Sequence, residues 1–225
     1  MTTLIPFAAL ASVPWKNGAG STMELAIGPP GATVHDFDWR VSLATISHSG
    51  PFSQFAGVER TLALVEGGAL TLDVDGTRHV LQGVDDSTIA FDGQAAVNAT
   101  VHGGPTLDFN VMTRRATCQH KFGRRRIMGS AAFAPAGQRS LVFLASGEGL
   151  TVSSDDERIG LVRFDAVVFE PGTLWTLEAL DATVFIVDLY ARPEAQQAAQ
   201  QAAQQAAQQA AQQAAQQAAR PDAAA

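Results

Sequence analysis

The residues best placed to do chemistry lie between Gly50 and Gly67, in the stretch GPFSQFAGVERTLALVEG. Its layout is that of a strand-borne metal site in which two His stand one residue apart, a Glu follows after a short gap, and a Gly closes the turn. Here the chemistry is inverted. Counting back from Gly67 sets Arg60 in the Glu position, and the His positions fall on Ser53 and Phe55, or on Gln54 and Ala56 with the shorter gap. A fixed cation replaces a cation-binding carboxylate. An isolated buried charge is very costly, so a buried Arg at this place calls for an anion beside it. That anion is either a neighbouring Asp or Glu or a carboxylate ligand.

Other routes to chemistry are weaker. A metal site needs three or four converging His, Cys or carboxylate ligands, and the five His, at 35, 48, 79, 102 and 120, are scattered along the chain. No Gly-x-Ser-x-Gly elbow is present for a Ser nucleophile. Cys118 and His120 share a basic stretch, a setting that can lower a thiol pKa, although an inert surface thiol is the plainer reading. A lone Cys cannot form an intrachain disulfide, which suits a reducing compartment.

The elements that must position Arg60 are short strands. Asp36 to Ile46 alternates, with Phe37, Trp39, Val41 and Leu43 on one face and Asp38, Arg40, Ser42 and Ala44 on the other. The polar face is either solvated or lines a cavity. Leu107 to Thr113 repeats the pattern, with Leu107, Phe109 and Val111 opposite Asp108, Asn110 and Met112. If polar faces point into a barrel, Arg60, Arg40, Asp108 and Asn110 converge. Glu59–Glu66, Ala69–Val74 and Thr77–Leu81 read as strands joined at Gly67-Gly68 and at Asp75-Gly76, the second a strong hairpin signal. Pro14 to Thr22, PWKNGAGST, is a Gly-rich loop that either lets backbone approach a ligand or simply turns over a packed Trp15.

Composition bounds the rest. The 225 residues are 46% apolar, ample for a packed core, and carry a formal charge of −7, which argues against nucleic acid as a main partner. Arg114 to Arg126 holds six basic residues but only Phe122 as a stacking aromatic, so it reads as a solvated connector pairing with the acidic surface. The apolar run from Leu4 to Ala11 lacks a positive n-region and contains Pro6, so it reads as a first strand rather than a signal peptide. No stretch is apolar enough to span a bilayer. From Ser140 the short-strand rhythm restarts. Gln196 to Ala219 is six copies of QQAA, whose four-residue period makes no straight apolar stripe on a helix. The expected organisation is all-β, with an N-terminal barrel over 1–113, a connector over 114–139, a second barrel over 140–192, and a helical or disordered tail over 193–225.

PWKNGAGST, DFDWRVSLA, GPFSQFAGVERTL, the Phe91-Asp92-Gly93 turn and DFNVMTRR, in this order, resemble the HutD/Ves family of bicupins. The resemblance runs from Met1 to about Arg192. Ala19 stands where the family loop usually has a third Gly. In this family's frame Ala96 takes the place of the third metal ligand. The resemblance implies a cytoplasmic fold of two cupin-type barrels with no metal, no cofactor and no established catalysis, tied to histidine utilisation or stress response. It also implies a pocket for a small carboxylate such as formylglutamate or urocanate, anchored by Arg60. The candidate ligand-binding set is Arg60, Trp15, Lys16, Asn17, Arg40, Phe52, Phe55, Asp108, Asn110 and Met112. The expected partner is the carboxylate alone, without nucleic acid or membrane, and a homodimer stays open. Against the binding regulator stand a metal-independent enzyme, an isomerase or hydrolase using Asp108 or Lys16, and a structural module that binds no small molecule. Turnover of a bound ligand separates the first two.

Overall fold

The computed structural model describes residues 2–84 and 87–193, so the QQAA repeat expected as a tail lies outside the described residues. Strands dominate, every pairing is antiparallel, and the strands fall into two sheets. The first runs β2 (Ser12–Pro14), β3 (Gly20–Gly28), β4 (Trp39–Ile46), β9 (Val97–Arg114), β6 (Val58–Val74), β7 (Thr77–Gln82), with β5 (Gly50–Pro51) on β9 and β8 (Thr88–Asp92) on β6. The second runs β1 (Thr3–Ile5), β14 (Ala166–Phe169), β11 (Arg139–Ser146), β15 (Trp175–Ala191), β12 (Leu150–Ser153), β13 (Arg158–Leu161), with β10 (Cys118–Phe133) on β15. The all-β, barrel-like class expected from the short-strand rhythm is the class observed. Among the described residues no helix is long and apolar enough to cross a membrane.

Alternation decides which face goes where. Val41, Leu43, Ala63, Val65, Phe109 and Val111 of the first sheet pack against Leu141, Phe143, Phe185 and Val187 of the second. Phe109 lies 4.9 Å from Phe143 and 5.5 Å from Phe185 between ring centroids, the close tilted and edge contacts that aromatic quadrupoles favour. The opposite face of β6 turns Leu62 and Leu64 into a separate core with Leu70, Leu72, Ile89, Phe91 and Val97. In β11 the continuous run Leu141 to Ala145 is buried on both faces, since Val142 and Leu144 enter a third core with Val152, Phe169, Leu177 and Val184. Phe37 departs from the expected face because β4 begins only at Trp39; it fills a small cluster with Val58 and Met112 instead.

Two segments differ from expectation. Gly67-Gly68 is not a joint between strands, because β6 runs through it with a register shift between Gly67 and Ala69. A Cβ on Gly68 would stand 1.9 Å from the carbonyl oxygen of His102, so only Gly lets β9 approach this closely. The Asp75-Gly76 hairpin is present as expected, with positive φ at both residues (49° and 84°) and the Asp73 carboxylate accepting from the Gly76 amide at 2.9 Å. The stretch expected as a solvated connector is mostly strand. β10 pairs with β15 from Cys118 opposite Ala191 to Phe133 opposite Trp175, and β1 pairs with β14, so the second sheet draws strands from outside 140–192. Charge masked the alternation there. Cys118, His120 and Phe122 turn inward, Lys121 and Arg125 turn outward, and the exposed Arg126, where the alternation breaks before buried Ile127, pairs with Asp181 at 2.6 Å.

Candidate functional site

Three neighbouring strands bring the site together. In register, Arg40 of β4 lies beside Met112 of β9, and Met112 beside Arg60 of β6. One row further, Ser42 lies beside Asn110. Because side chains alternate, this register turns Arg40, Ser42, Asn110, Met112 and Arg60 to the barrel side and leaves Val41 and Val111 for the inter-sheet core. They line a cavity of about 700 Å³, walled by the Gly-rich loop, by Thr22 and Glu24 of β3, and by Pro51, Phe52, Ser53 and Phe55. The polar face of β4 is therefore a cavity wall and not a solvated surface.

Arg60 is buried, at 8% exposure, yet no carboxylate among the described residues pairs with it. The candidate acid partners are engaged elsewhere: Glu59 with Arg115 at 3.4 Å, Glu66 with Arg163 at 3.6 Å, and Asp108 with Thr106. Instead the rings of Phe91, Phe52 and Phe55 surround the guanidinium, with centroids 5.0, 5.3 and 5.8 Å from Cζ. π faces attract a cation without neutralising it. Nη1 donates to the Ser53 carbonyl at 3.4 Å and Nη2 to Asn110 Oδ1 at 3.3 Å, both long for bonds to a charged donor, and Nε has no partner. Burial, and secondarily the charge of Arg40, pull this guanidinium down to about 10, so it remains a cation at neutral pH.

Arg40 donates through Nε to Glu24 at 2.8 Å, which fixes its guanidinium at the cavity wall. Lys16, Arg40 and Arg60 against Glu24 leave the cavity positive in a chain that is negative overall. The Gly-rich loop is both a turn and a wall. Trp15 donates from Nε1 to Thr22 Oγ1 at 2.7 Å and meets Phe52 edge-on, and the Asn17 side chain accepts from the Ala19 amide at 3.0 Å. A Cβ on Gly20 would stand 2.1 Å from the Thr45 carbonyl, so Gly there lets the loop close on β4.

Nine of the ten expected ligand-binding residues, Trp15, Lys16, Asn17, Arg40, Phe52, Phe55, Arg60, Asn110 and Met112, line this cavity. Asp108 does not. Its register partners are Ala44 and Leu64, and it is fully buried with Thr106 donating to Oδ2 at 3.0 Å and Oδ1 without a partner. Desolvation raises its pKa to about 7, with the Thr106 bond pulling weakly the other way. The sequence marks Phe91 only as part of a turn and gives no signal for Glu24, yet the structure brings both to the site. Glu24 sits in a strand with little alternation, and Phe91 meets Arg60 only because β8 pairs with β6 at that register.

Cys118 is buried and not a surface thiol. Burial first, and Asp38 next, raise it to about 11, so the nearby basic residues do not activate it. His120 is held between the sheets, its Nε2 2.8 Å from Thr61 Oγ1 and its Nδ1 2.8 Å from Thr113 Oγ1. Among the described residues no three His, Cys, Asp or Glu side chains gather in a way that could hold a metal. At the places where the layout would put ligands stand Arg60, Phe55 or Ala56, and Ala96, and a guanidinium repels a metal cation. Elemental analysis of protein purified without chelator is expected to show no stoichiometric transition metal. One tightly held ion per chain would overturn this.

The family model HutD matches residues 8–187. Protein Ves of Citrobacter koseri is 40% identical over 136 residues, covering 59% of this chain and 67% of that protein. A conserved protein of unknown function from Pseudomonas aeruginosa PAO1 superposes with TM-score 0.77 at 31% identity, over 84% of this chain and 99% of that one. HutD from Pseudomonas fluorescens SBW25, solved in a formate condition, superposes with TM-score 0.72 at 27% identity, over 85% and 100%.

Proposed function

Because this chain belongs to the HutD family, we propose that it is a non-catalytic, metal-free binding protein for a small carboxylate, and that it modulates histidine utilisation in the cytoplasm. The observation that carries this reading is Arg60, a buried guanidinium ringed by phenyls and lacking a carboxylate partner inside a positive cavity. A buried charge without a counter-ion is costly, and a ligand carboxylate would relieve that cost with directional paired bonds. Formylglutamate and urocanate are the candidates within histidine degradation.

The competing enzymatic reading loses Asp108, which lies outside the cavity wall, while Lys16 stays on that wall and Glu24 there is paired with Arg40. Calorimetric titration with N-formyl-L-glutamate and with urocanate is expected to show binding, with each compound recovered unchanged after prolonged incubation. Saturation at a hundredfold over Kd adds about 2.7 kcal/mol to stability, so a thermal shift reports the same event. Failure of every pathway carboxylate to bind would sink the proposal, and turnover would transfer the site to the enzymatic reading.

A further inference from the structure

We propose that residues 51–57 form a strap that must swing away from Arg60 before an anion can seat on it. The inference rests on reading Arg60 as the anion anchor. A carboxylate bound in the forked geometry needs two parallel N–H groups. The Nη1/Nη2 edge of Arg60 is occupied by the Ser53 carbonyl and by Asn110 Oδ1, and the rings of Phe52 and Phe55 stand over the guanidinium. Three of these four obstructions belong to the strap. Both bonds are long, at 3.4 and 3.3 Å, so a carboxylate would replace them with stronger ones.

The strap also has somewhere to go. A second cavity of about 630 Å³ lies behind it, bounded by Asp73, Asp75, Gly76, Ala96, Val97 and Asn98, and Pro51 and Phe52 form part of the wall of both cavities. Moving outward withdraws only the half-buried rings of Phe52 and Phe55 from the edges of two cores and leaves the fully buried residues of those cores in place. Residues 52–55 belong to no strand, and the segment ends at Gly57 with φ +70°. It is tied down by the Phe52 amide on the Val97 carbonyl at 2.9 Å, the Phe55 amide on the Gly93 carbonyl at 2.7 Å, and the Gln54 side chain on the Gln94 carbonyl at 2.9 Å. Water can replace such rim bonds at small net cost. Opening would reshape the surface between the strap and the 73–76 hairpin, giving a binding protein an outward sign of occupancy.

The test needs no ligand. Gln54→Cys with Gln94→Cys places thiols on two residues already joined by the Gln54 side chain and the Gln94 main-chain carbonyl, and a bis-maleimide with a reducible disulfide in its spacer locks the strap. The native Cys118 does not compete, being buried with its thiol raised to about 11. Phenylglyoxal modification of Arg60 is then followed by peptide mass spectrometry, with exposed Arg158 as the reference. The unlocked protein is expected to be modified at Arg60, locking to slow that reaction by roughly tenfold or more, and reduction of the spacer to restore it. Equal rates in the locked and unlocked forms would show that the site is open without the strap moving. No modification of Arg60 in either form while Arg158 is consumed would show that the strap does not open. Either result overturns the strap and leaves the binding proposal to its own titration.

Discussion

Arg60→Ala is expected to abolish measurable binding of N-formyl-L-glutamate, and Arg60→Lys to weaken it, with the fold intact in both. The guanidinium is the cavity cation without a carboxylate partner among the described residues after Arg40 pairs with Glu24, and it lies among phenyl rings where water is scarce, so its contact with a carboxylate is poorly screened. Removing one partner of such a desolvated pair costs about 2 to 5 kcal/mol, or roughly 30-fold to several thousandfold in Kd. Lys keeps the charge and loses the planar fork. Titration calorimetry on each variant, after circular dichroism confirms folding, reads the result. Unchanged affinity in Arg60→Ala would reduce Arg60 to a packing residue held by Phe52, Phe55 and Phe91. The alanine variant also removes a buried unpaired charge, so any loss of stability should be modest for so large a truncation.

Asp108→Asn is expected to stabilise the protein at pH 8 and to turn a nearly flat pH dependence below neutrality into a rising one. Asp108 titrates near 7 when folded and near 3.8 when exposed, so the folded state holds the extra proton between these values. Stability from that proton is complete below about 3.8 and is lost as pH rises through 7, a difference on the order of 4 kcal/mol at one pKa unit per 1.36 kcal/mol. His120 works in the opposite direction. Burial lowers it from 6.5 to about 4, so the unfolded chain binds the extra proton and stability falls as pH drops from 6.5 through 4, by on the order of 3 kcal/mol. In the wild type these slopes oppose each other between pH 4 and 6.5, and urea denaturation should give a nearly flat stability there. Asn cannot titrate, so Asp108→Asn should expose the His120 slope and gain stability steadily from pH 4 to 6.5. At pH 8 its advantage is reduced by about 1 to 3 kcal/mol, the cost of an unpaired amide where Oδ1 now lacks a partner. Wild type and variant rising alike from pH 4 to 6.5 would show that Asp108 is solvated and ionised in the fold.

Much of the site could be read along the chain because its strands alternate with period two. Once Leu62 and Leu64 face a core, Arg60 must point to the same side, and Arg40, Asn110 and Met112 follow from their own apolar neighbours by the same rule. The departure of Arg60 from a metal-ligand layout was likewise a local fact. What local pattern cannot carry is register between strands, which depends on bulges and on pairing of residues far apart. Register places Arg60 beside Met112 and Phe91 and sets Asp108 beside Leu64 of the buried core, where it does not line the cavity. It also makes β10 a strand, since its partner β15 lies some sixty residues on and its basic residues hide the alternation. Pairing distance, more than residue type, separates what the amino-acid sequence by itself determined here from what only the tertiary structure decided. The identities of the cavity residues follow from side-chain alternation within single strands, whereas the absence of a carboxylate partner for Arg60 follows from where the folded chain sends Glu59, Glu66 and Asp108.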